Sequence, residues 1–554
     1  MKKTLLTTCN AKYIHKNLAL RWFYCSCPSK EDVLLKEFTI KEDVEKIVEQ
    51  ILACDVEVVS FSVYIWNLEI TKQIVALLKQ QKPALHIIAG GPEVSFESHD
   101  LLDLGFDAIC CGEGEVVLWE YVKMLEAPTS YNVEGMITKA YPNQPYQIVD
   151  IAYLETLENP YFLEMDQEDM GKRYFYFETS RGCPYGCTYC LSSIDNKVRM
   201  FSMEYIFSIL EQLSTSKVKQ VKLLDRTFNA DVKRALQIAR YMNEHCPNQI
   251  FQFEVVAQTL SEQILNFFCE EADKKRFRFE IGVQSFHQPT LLSVGRYQNE
   301  QRLCEVLTRM ANANLTMHAD LIAALPYETL GLFQKSFNRL FDLQASEIQL
   351  GILKLLKGTK LKSQRHEFGM KYHQEPPYDV TETNWLSEQD LIDLSNCASA
   401  VEKFYNDGTC RELILTILEE QLISDSFTLF MELGKQYRLL KRPYQPYELY
   451  TCFYPLLEHV ERKKVDALLL TSYYQRFKQK PKRFTPAYVD QELRKQLLHV
   501  AADLQLADEK TLFGYGVVTL GYINHKICYQ LVLYNQNQQL PKRYFFDNDF
   551  TLIK

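Results

Sequence analysis

Six short apolar segments between residues 174 and 360 alternate with helical stretches, and this alternation constrains the fold more than any other feature. The segments are YFYFETS, VKQVKLLD, IFQFEVVA, RFRFEIGV, LTMHADLI and EIQLGIL, separated by helical patterns such as SMEYIFSILEQLS and DVKRALQIARYMNE. Strands that alternate with helices form parallel sheets, because each helix carries the chain back to the edge where the strand began. Six such units predict an open, partial (β/α)6 barrel related to the eight-fold barrel.

Residues 1–126 alternate in the same way and predict a second parallel sheet. Five strands are expected at TLLTT, VLLKEFTI, VEVVSFSVY, ALHIIAGG and DAICCG. Apolar residues at helical spacing mark EDVEKIVEQILA, and NLEITKQIVALLKQQ begins at Asn67, a residue type that favours helix N-caps. We therefore expect a doubly wound, Rossmann-like domain of mixed α/β class here.

Small and polar residues follow three of these five strands, at the edge where doubly wound sheets bind their ligands. Ser62 ends the third strand, Gly90 and Gly91 end the fourth, and Gly112 and Glu113 follow the fifth. Because Gly90 and Gly91 lack side chains, a large flat ligand could approach the backbone closely there. The alternative is that these glycines only form tight turns.

The remaining regions lack this alternation. Residues 127–173 are rich in turn formers and charge and predict a connector between the first domain and the barrel, which we expect over residues 174–365. Residues 366–554 predict a mostly helical domain of unknown role. It ends in a small antiparallel sheet formed by YGVVTLGY, KICYQLVLYN and KRYFFDND, and we find no catalytic motif in it.

Composition limits the partners and the compartment. The net charge is −9, which argues against a surface coated with nucleic acid. Between residues 462 and 483, eight basic residues stand against one acidic residue among aromatic side chains. A nucleic-acid contact is possible there, but a solvated helix face with buried aromatics is favoured. Because no stretch approaches the roughly 18 apolar residues that span a bilayer, and no signal peptide is evident, we expect a cytoplasmic protein without membrane contact.

Three cysteines lie within eight positions of the segment RGCPYGCTYC, directly after the first barrel strand: Cys183, Cys187 and Cys190. In a cytoplasmic chain with 16 cysteines, such a cluster predicts metal binding rather than disulfides. A structural zinc site needs a second nearby pair or histidines, yet the next cysteine is Cys246. A [4Fe–4S] cluster fits better, since each thiolate binds one iron and the fourth iron stays open to an external ligand.

This cysteine spacing, with Tyr189 just before the last cysteine, resembles that of the radical S-adenosylmethionine (SAM) enzymes. The resemblance implies that Cys183, Cys187 and Cys190 hold a [4Fe–4S] cluster whose open iron binds SAM. The reduced cluster then cleaves SAM to methionine and a 5′-deoxyadenosyl radical, which abstracts hydrogen from the substrate. A flavodoxin- or ferredoxin-like electron donor is also implied.

Residues at other strand ends match positions that contact SAM in this family. The resemblance places Asp225, in KLLDRTFN, near the methionine amino group, and Glu280, Gln284 and Ser285, in EIGVQSF, near the ribose and the methionine moiety. Tyr189 would lie by the adenine. Each residue also has a structural alternative: Asp225 as one half of a surface ion pair, Gln284 as a helix cap and Tyr189 as packing for its loop.

Two further segments resemble the family. DLIAALPYET matches the pattern of the fifth strand, except that Ala324 replaces its usual glycine. LKLLKGT, residues 353–359, resembles the segment beyond the sixth strand, near the adenine.

A doubly wound domain before such a barrel, with the loops GGPEVS and CGEGE, is similar to the cobalamin-binding members of the superfamily. This implies that cobalamin is contacted by Ser62, Gly90, Gly91, Gly112 and Glu113. Many cobalamin proteins carry an Asp-x-His-x-x-Gly loop after the first strand, and its histidine coordinates cobalt. Here the loop reads NAKYIHKN, which contains His15 but not the Asp and Gly. Either cobalt has no protein ligand, or His15 serves in an unusual way, or His15 is an ordinary surface histidine, which we favour.

The resemblance leads to one preferred function and two alternatives. The preferred function is cobalamin-dependent methylation of an unactivated carbon of an unknown substrate, in which one SAM methylates cobalt and a second supplies the radical. The first alternative is radical chemistry without methyl transfer, such as rearrangement, cyclisation or oxidation. The second is a non-catalytic iron–sulfur sensor or assembly factor.

Overall fold

The computed structural model describes residues 1–126, 132–477, 482, 484–534 and 540–554. The chain divides into two compact units. The first comprises residues 1–329, 343–346 and 352–387, and the second comprises residues 330–342, 347–351 and 388–554. Predicted domain boundaries at residues 126, 173 and 365 are finer than this division and remain predictions.

The amino-terminal part of the first unit is a six-stranded sheet with the order β2-β1-β3-β4-β5-β6. All pairings from β2 to β5 are parallel, and β6 is an added antiparallel edge strand that the sequence did not reveal. The strands are β1 (Thr4–Asn10), β2 (Val33–Thr39), β3 (Val58–Ser62), β4 (His86–Gly90), β5 (Ala108–Cys110) and β6 (Met136–Ile137). The helices are α1 (Leu18–Ser26), α2 (Val44–Leu52), α3 (Leu68–Gln81), α4 (His99–Asp103) and α5 (Val117–Met124).

Both faces of this sheet are buried, as a doubly wound fold requires. Consecutive residues of one strand enter different cores: Leu5 and Val59 belong to one, Leu6 and Val58 to the other. Strands covered on both sides need nearly continuous apolar runs, and such runs can be recognised in the sequence. The expected doubly wound domain is confirmed.

A second six-stranded sheet has the order β7-β10-β11-β12-β13-β14, so each strand neighbours the next of the predicted six. These strands are β7 (Phe175–Phe177), β10 (Gln220–Leu223), β11 (Ile250–Val255), β12 (Phe277–Gln284), β13 (Thr316–Ala323) and β14 (Glu347–Ile352). A two-stranded ribbon, β8 (Ser180–Arg181) and β9 (Arg199–Met200), follows β7. After α6 (Ile151–Glu155), the helices are α7 (Met203–Thr215), α8 (Val232–His245), α9 (Glu262–Asn266), α10 (Gln288–Ser293), α11 (Glu300–Asn312), α12 (Leu330–Asp342) and α13 (Lys360–Ser363).

The barrel strands have one apolar and one polar face. Along β12, Phe277, Phe279 and Ile281 are buried, whereas Glu280 and Gln284, which alternate with them, are only partly buried. The period of two sends alternate side chains to opposite faces of a strand. The apolar face forms the core, and the polar face is left to line a site.

The second unit is mostly helical and carries a three-stranded antiparallel sheet with the order β17-β18-β19, as predicted. Besides α12, its helices are α14 (Glu388–Ala400), α15 (Arg411–Glu419), α16 (Ser426–Leu439), α17 (Pro446–Thr451), α18 (Phe453–Leu456), α19 (Arg462–Arg476), α20 (Gln491–Asp503) and α21 (Glu509–Tyr515). The strands are β17 (Gly516–Ile523), β18 (Lys526–Leu533) and β19 (Lys542–Phe546). The short strands β15 (Lys371–Tyr372) and β16 (Val380–Glu382) precede this unit's main helices.

Part of the basic stretch at 462–483 lies outside the described residues, namely 478–481 and 483. In the described part, Tyr473 and Tyr474 are only 3% and 4% exposed, so they are core residues of the second unit. Among the described residues, no helix combines the length and apolarity needed to cross a bilayer.

Candidate active site

The three cysteines lie on the loop between β8 and β9, at the end of the first barrel strand. All three are free thiols; Cys187 is buried and the other two are partly buried. Gly182 adopts a φ of +86°, and a Cβ there would stand 2.1 Å from the carbonyl oxygen of Lys197, so only glycine fits before Cys183. The loop closes on itself where the Cys183 amide donates to the carbonyl of Asp195 at 3.0 Å.

Segments from three other strand ends contact this cysteine loop. The Sγ of Cys183 lies 3.8 Å from the Thr227 hydroxyl, beyond β10. The Thr188 amide donates to the Val294 carbonyl, beyond β12, at 2.9 Å. The Leu361 amide, beyond β14, donates to the Thr188 carbonyl at 2.9 Å. The structure therefore brings the predicted strand-end segments together around the cysteines.

Arg296 joins this loop from the segment after α10, and the sequence did not reveal it. Its Nη1 lies 3.9 Å from the Sγ of Cys187, and its Nη2 donates to the carbonyl of Gly282. The Nε of Arg296 is buried and has no hydrogen-bond partner among the described residues. A buried, unpaired donor is costly, which makes this guanidinium a candidate to bind an acceptor on a ligand.

Gln284, like Arg296, has a buried side-chain atom without a hydrogen-bond partner among the described residues. Its backbone has a φ of +69°, an uncommon value for a residue other than glycine. Its side-chain Oε1 is buried, and no described residue donates to it. Strained backbone and unsatisfied polar atoms are concentrated at functional sites. Gln284 does not cap a helix; it is an open polar group beside Gly282.

Asp225 is buried and fully engaged by the end of the first barrel strand. It accepts the Thr179 amide at 2.9 Å and the hydroxyls of Thr179 and Ser180 at 2.5 and 2.6 Å. Burial raises the pKa of its carboxyl, and the hydrogen bonds of Ser180 and Thr179 oppose that rise. These contacts make Asp225 a brace between strand ends rather than half of a surface pair.

Ser285 is also fully buried, at 0% exposure. Its hydroxyl lies 2.5 Å from Oε1 of Glu328 and accepts the His287 amide at 2.9 Å. Its carbonyl accepts the side-chain amide of Gln298 at 3.2 Å. These contacts fix the turn after β12, which in turn sets the position of Gln284.

Three carboxylates share the polar face of the barrel. Glu254 on β11 pairs in register with Glu280 on β12, and Asp320 on β13 pairs with Gly282, two residues beyond Glu280. Burial, then the charge of Glu280, raises the pKa of Asp320 to about 7. Burial likewise raises the pKa of Glu254. Only Glu280 was expected from the sequence; Glu254 and Asp320 become visible once the strand register is known.

Tyr189 lies between the last two cysteines. Burial, followed by the proximity of Cys187, raises the pKa of its hydroxyl, while the nearby charge of Arg296 lowers it. The ring therefore belongs to the cysteine loop. Its predicted place beside an adenine remains a prediction.

The expected ligand edge of the first sheet is more tightly packed than the sequence suggested. Ser62 pairs in register with Gly90. Gly91 has a φ of +111°, and a Cβ there would stand 2.5 Å from the Val63 carbonyl oxygen. Gly112 has a φ of +97°, and a Cβ there would stand 2.5 Å from the Gln147 carbonyl oxygen. These two glycines are required by local packing, whereas at Gly90 a Cβ would meet only Cys110, at 3.5 Å.

Glu113 and Glu115, in the CGEGE loop after the fifth strand, form ion pairs with the two arginines that flank the cysteine loop. Arg199 forms a two-pronged pair with Glu113, with Nη2 to Oε1 at 2.6 Å and Nη1 to Oε2 at 3.1 Å. Arg181 pairs with Glu115 at 2.7 Å. One oxygen of Glu115, Oε2, is buried and lacks a partner among the described residues.

The fourth-strand loop, GGPEVS, contacts the segment beyond β14. Glu93 is 5% exposed, accepts the Tyr378 hydroxyl, and lies 3.3 Å from Nζ of Lys357. Gly358 has a φ of +77°, and a Cβ there would clash with the ring of Phe96. The LKLLKGT segment therefore lies against this loop.

His15 is not an ordinary surface histidine. Its Nδ1 lies 2.6 Å from the hydroxyl of Tyr176 on β7, and its ring stacks with that of Tyr176 at 26° between planes. Burial lowers the pKa of His15, and the nearby charges of Lys222 and Lys12 add to that shift. His15 therefore links the loop after β1 to the barrel.

Three family models match this chain over separate regions: B12 binding domain over residues 7–122, Radical SAM superfamily over residues 177–340, and Protein of unknown function (DUF4080) over residues 366–541. The chain belongs to the radical SAM superfamily. Its B12 binding domain places it among the members that carry a cobalamin-binding domain.

Curated relatives agree with this assignment of the radical SAM chain. One is a 2-(S-pantetheinyl)-carbapenam-3-carboxylate methyltransferase of Streptantibioticus cattleyicolor, 24% identical over 69% of this chain. Another is the cobalamin-dependent radical SAM methyltransferase TokK of Streptomyces tokunonensis, 24% identical over 70% of this chain. The match spans 61% and 62% of the lengths of these two relatives.

Solved structures share the fold. OxsB, a cobalamin-dependent S-adenosylmethionine radical enzyme solved with aqua-cobalamin and S-adenosylmethionine bound, has a TM-score of 0.57 at 14% identity, covering 92% of this chain and 76% of its own. TsrM of Kitasatospora setae, a radical S-adenosylmethionine methyltransferase, has a TM-score of 0.56 at 14% identity, covering 68% of this chain and 78% of its own. At these identities the likeness establishes the architecture.

The cysteine loop of this radical SAM chain fits a [4Fe–4S] cluster. Among the described residues, no three Cys, His, Asp or Glu side chains lie close enough to share one metal ion. Thiolates that each bind a different iron stand further apart than ligands of one ion, which is compatible with this arrangement. Burial raises the pKa of the Cys183 thiol, and bound iron would stabilise its thiolate instead.

The open polar groups fit the other two cofactors of a cobalamin-binding radical SAM enzyme. The guanidinium of Arg296 would suit the carboxylate of SAM, and the carboxylates on the barrel's polar face would suit its sulfonium and ammonium groups. The unpaired, buried Oε2 of Glu115 would accept a hydrogen bond from one of the amide groups around a corrin ring. The cofactors of this domain combination are therefore a [4Fe–4S] cluster, SAM and cobalamin.

Proposed function

We propose that this chain is a cobalamin-dependent radical SAM methyltransferase that methylates an unactivated carbon of a substrate still to be identified. The observation that carries the proposal is the contact between the cysteine loop and the CGEGE loop within one compact unit, through Arg181–Glu115 and Arg199–Glu113. Two loops that hold different cofactors have to meet if one reaction uses both. Two curated relatives that match 69% and 70% of this chain are named as methyltransferases.

Bound together, the cluster and SAM supply a hydrogen-abstracting radical, and the corrinoid supplies a methyl group. In this proposal the chain's own residues bind and orient. Cys183, Cys187 and Cys190 hold the cluster, Arg296 holds the SAM carboxylate, and Gln284 with the carboxylates of the barrel face binds the ribose and the positive charges.

In the first domain, Ser62, Gly90 and the turns at Gly91 and Gly112 shape the crevice for the corrinoid. We propose that His15, whose Nδ1 lies 2.6 Å from the Tyr176 hydroxyl, supports the crevice by linking the loop after β1 to β7. Glu113 is held by Arg199, so its proposed role is to position the loop rather than to contact cobalamin directly.

The proposal also covers the electron donor, the location in the cell and the class of substrate. Cleavage of SAM requires one electron for each event, which a flavodoxin- or ferredoxin-like donor would deliver. Cysteine thiolates that bind a cluster have to stay reduced, so we propose a cytoplasmic location. Nucleic acid as a substrate is not favoured, because the tyrosines in the described part of the basic stretch are buried.

The experiment uses SAM whose methyl group carries three deuteriums. Anaerobic protein reconstituted with iron, sulfide and cobalamin is incubated with reductant, labelled SAM and a small-molecule extract of the source organism, and Cys187→Ala protein serves as control. We expect 5′-deoxyadenosine and a labelled product with the wild type only. 5′-Deoxyadenosine with a product of altered mass but no label would instead support radical chemistry without methyl transfer. No 5′-deoxyadenosine under any condition would leave the non-catalytic alternative.

A further inference from the structure

Two arginines face each other across the ribbon at the base of the cysteine loop. Arg181 on β8 pairs in register with Arg199 on β9, and the cysteine loop runs from one to the other. Their side chains are 11% and 18% exposed. Any movement of this ribbon therefore moves the cysteine loop with it.

Both arginines reach the CGEGE loop of the cobalamin-binding domain. Arg181 pairs with Glu115 at 2.7 Å and lies 3.4 Å from Glu113. Arg199 grips both oxygens of Glu113 and also donates to the Val149 carbonyl at 2.6 Å. These four side chains (Arg181, Arg199, Glu113 and Glu115) link the two loops.

The other hydrogen bonds of the two guanidinium groups fix their direction. Nη2 and Nε of Arg181 donate to Oε1 and Oε2 of Glu178 at 2.8 and 3.1 Å, and Trp22 donates to the same carboxylate at 2.5 Å. Nη2 of Arg199 also pairs with Asp195 at 2.7 Å. Planar guanidinium groups held on two sides have a defined orientation, which a point charge such as an ammonium does not provide.

Buried ion pairs contribute little net stability, because the cost of removing two charges from water cancels much of their attraction. Four charged side chains, all less than a fifth exposed, are therefore better explained by a geometric role than by stability.

We propose that Arg181 and Arg199 are positioning residues that set the separation between the cluster loop and the corrinoid loop. This inference rests on the proposed function, since it requires that both cofactors bind. Neither arginine is assigned a contact with a reacting atom; each acts through the loop that it holds.

The test measures the magnetic interaction between the two cofactors. Samples are reduced so that the cluster and the Co(II) form of the corrinoid are both paramagnetic, and the relaxation of the cobalt signal by the cluster is recorded by EPR. The variants are Arg181→Lys, Arg199→Lys and Glu115→Gln. Arg240→Lys is the matched control, because Arg240 pairs with Glu271 at 3.5 Å on an exposed surface of the barrel. Iron, sulfide and corrinoid contents are measured for every sample.

We expect wild type and Arg240→Lys to show one strong, uniform interaction. Arg181→Lys and Arg199→Lys should keep both cofactors and 5′-deoxyadenosine formation but show a weaker interaction with a broader distribution of distances. Lysine keeps the positive charge but lacks the planar, two-pronged geometry of the guanidinium. This result would therefore separate positioning of the loops from neutralisation of the glutamates. Glu115→Gln, which leaves the Glu178 pair intact, should show the same change in smaller measure.

An unchanged interaction in both lysine variants, with full cofactor contents, overturns the inference and leaves the proposed function intact. Wild type that binds no corrinoid, or makes no 5′-deoxyadenosine, overturns the proposed function and the inference with it. If a lysine variant loses the cluster, the test relies on Glu115→Gln, because Glu115 lies on the CGEGE loop and not on the cysteine loop. An unchanged magnetic interaction in Glu115→Gln then also overturns the inference.

Discussion

Nη1 of Arg296 lies 3.9 Å from Sγ of Cys187, and its Nε is buried without a partner among the described residues. In the proposed function, this cation would hold the carboxylate of SAM. Arg296→Gln should therefore weaken SAM binding about 10–100-fold, the equivalent of one charged hydrogen bond of about 1.5–3 kcal/mol. The measurement is anaerobic equilibrium binding of SAM to the reconstituted protein.

The control for this prediction is Arg240→Gln, which removes an exposed arginine of the same barrel. Iron and sulfide contents should be normal in both variants. Unchanged SAM affinity in Arg296→Gln would show that the unpaired Nε serves some other acceptor.

Asp225 is predicted to stabilise the fold more than it binds SAM, because three donors from Thr179 and Ser180 already occupy its oxygens. In Asp225→Asn an amide group has to face some of those donors, which should cost about 2–3 kcal/mol. The apparent midpoint of urea unfolding should fall, while the SAM affinity of the folded protein changes less than in Arg296→Gln. The opposite pattern, normal stability with lost affinity, would support the sequence-based assignment of Asp225 to the methionine amino group.

Ala324 stands where the family pattern has glycine, and the structure gives the reason for that preference. Its φ is +73°, a left-handed conformation that costs an L-residue about 1–2 kcal/mol. Its neighbour Ala323 is equally buried, at 0% exposure, without a positive φ. Ala324→Gly should therefore be less destabilising than Ala323→Gly by about 1–2 kcal/mol, measured by urea unfolding of the two variants side by side. Equal destabilisation of the two variants would contradict the strain assigned to residue 324.

Asp320 predicts a pH dependence of SAM binding. Its pKa is raised to about 7, first by burial and then by Glu280, so its carboxyl is mostly protonated at pH 6 and mostly charged at pH 8. SAM carries positive charge and favours the charged carboxylate, so affinity should rise with pH over this range, by up to about tenfold per pH unit. Asp320→Asn should flatten the profile. A variant that keeps the wild-type pH profile would show that another group controls it.

The fold was predictable from the sequence because strands of the first sheet, buried on both faces, leave long apolar runs, and barrel strands alternate apolar with polar residues. Strands such as His86–Gly90 and Phe277–Gln284 lie where the pattern placed them. Helix Leu18–Ser26 was missed, although Asn17 is its N-cap and accepts the Leu20 amide at 3.0 Å. The two-residue strands of the ribbon are too short to leave any periodicity, so no pattern could reveal them.

The site was only partly predictable, and the reason is register. The cysteines are a local motif, but Arg296 is remote from them in sequence and becomes a candidate only through its distance to Cys187. Glu254 and Asp320 join Glu280 because the strands pair in a particular register, which the sequence does not encode locally. Gly91 and Gly112 illustrate the converse, since the nearby backbones of Val63 and Gln147 already explain why these positions need glycine, and their predicted contact with cobalamin stays a prediction.

The central claim is that one chain holds an iron–sulfur cluster through three cysteines and a corrinoid in the adjoining domain. The most direct measurement is the content of iron, sulfide and corrinoid per chain after anaerobic purification with cobalamin supplied, together with 5′-deoxyadenosine formation from SAM. We predict about four irons and about four sulfides per chain, one corrinoid, and 5′-deoxyadenosine that disappears in Cys187→Ala along with the cluster. Zinc in place of iron, a cluster that does not respond to SAM, or a chain that binds no corrinoid would contradict the account.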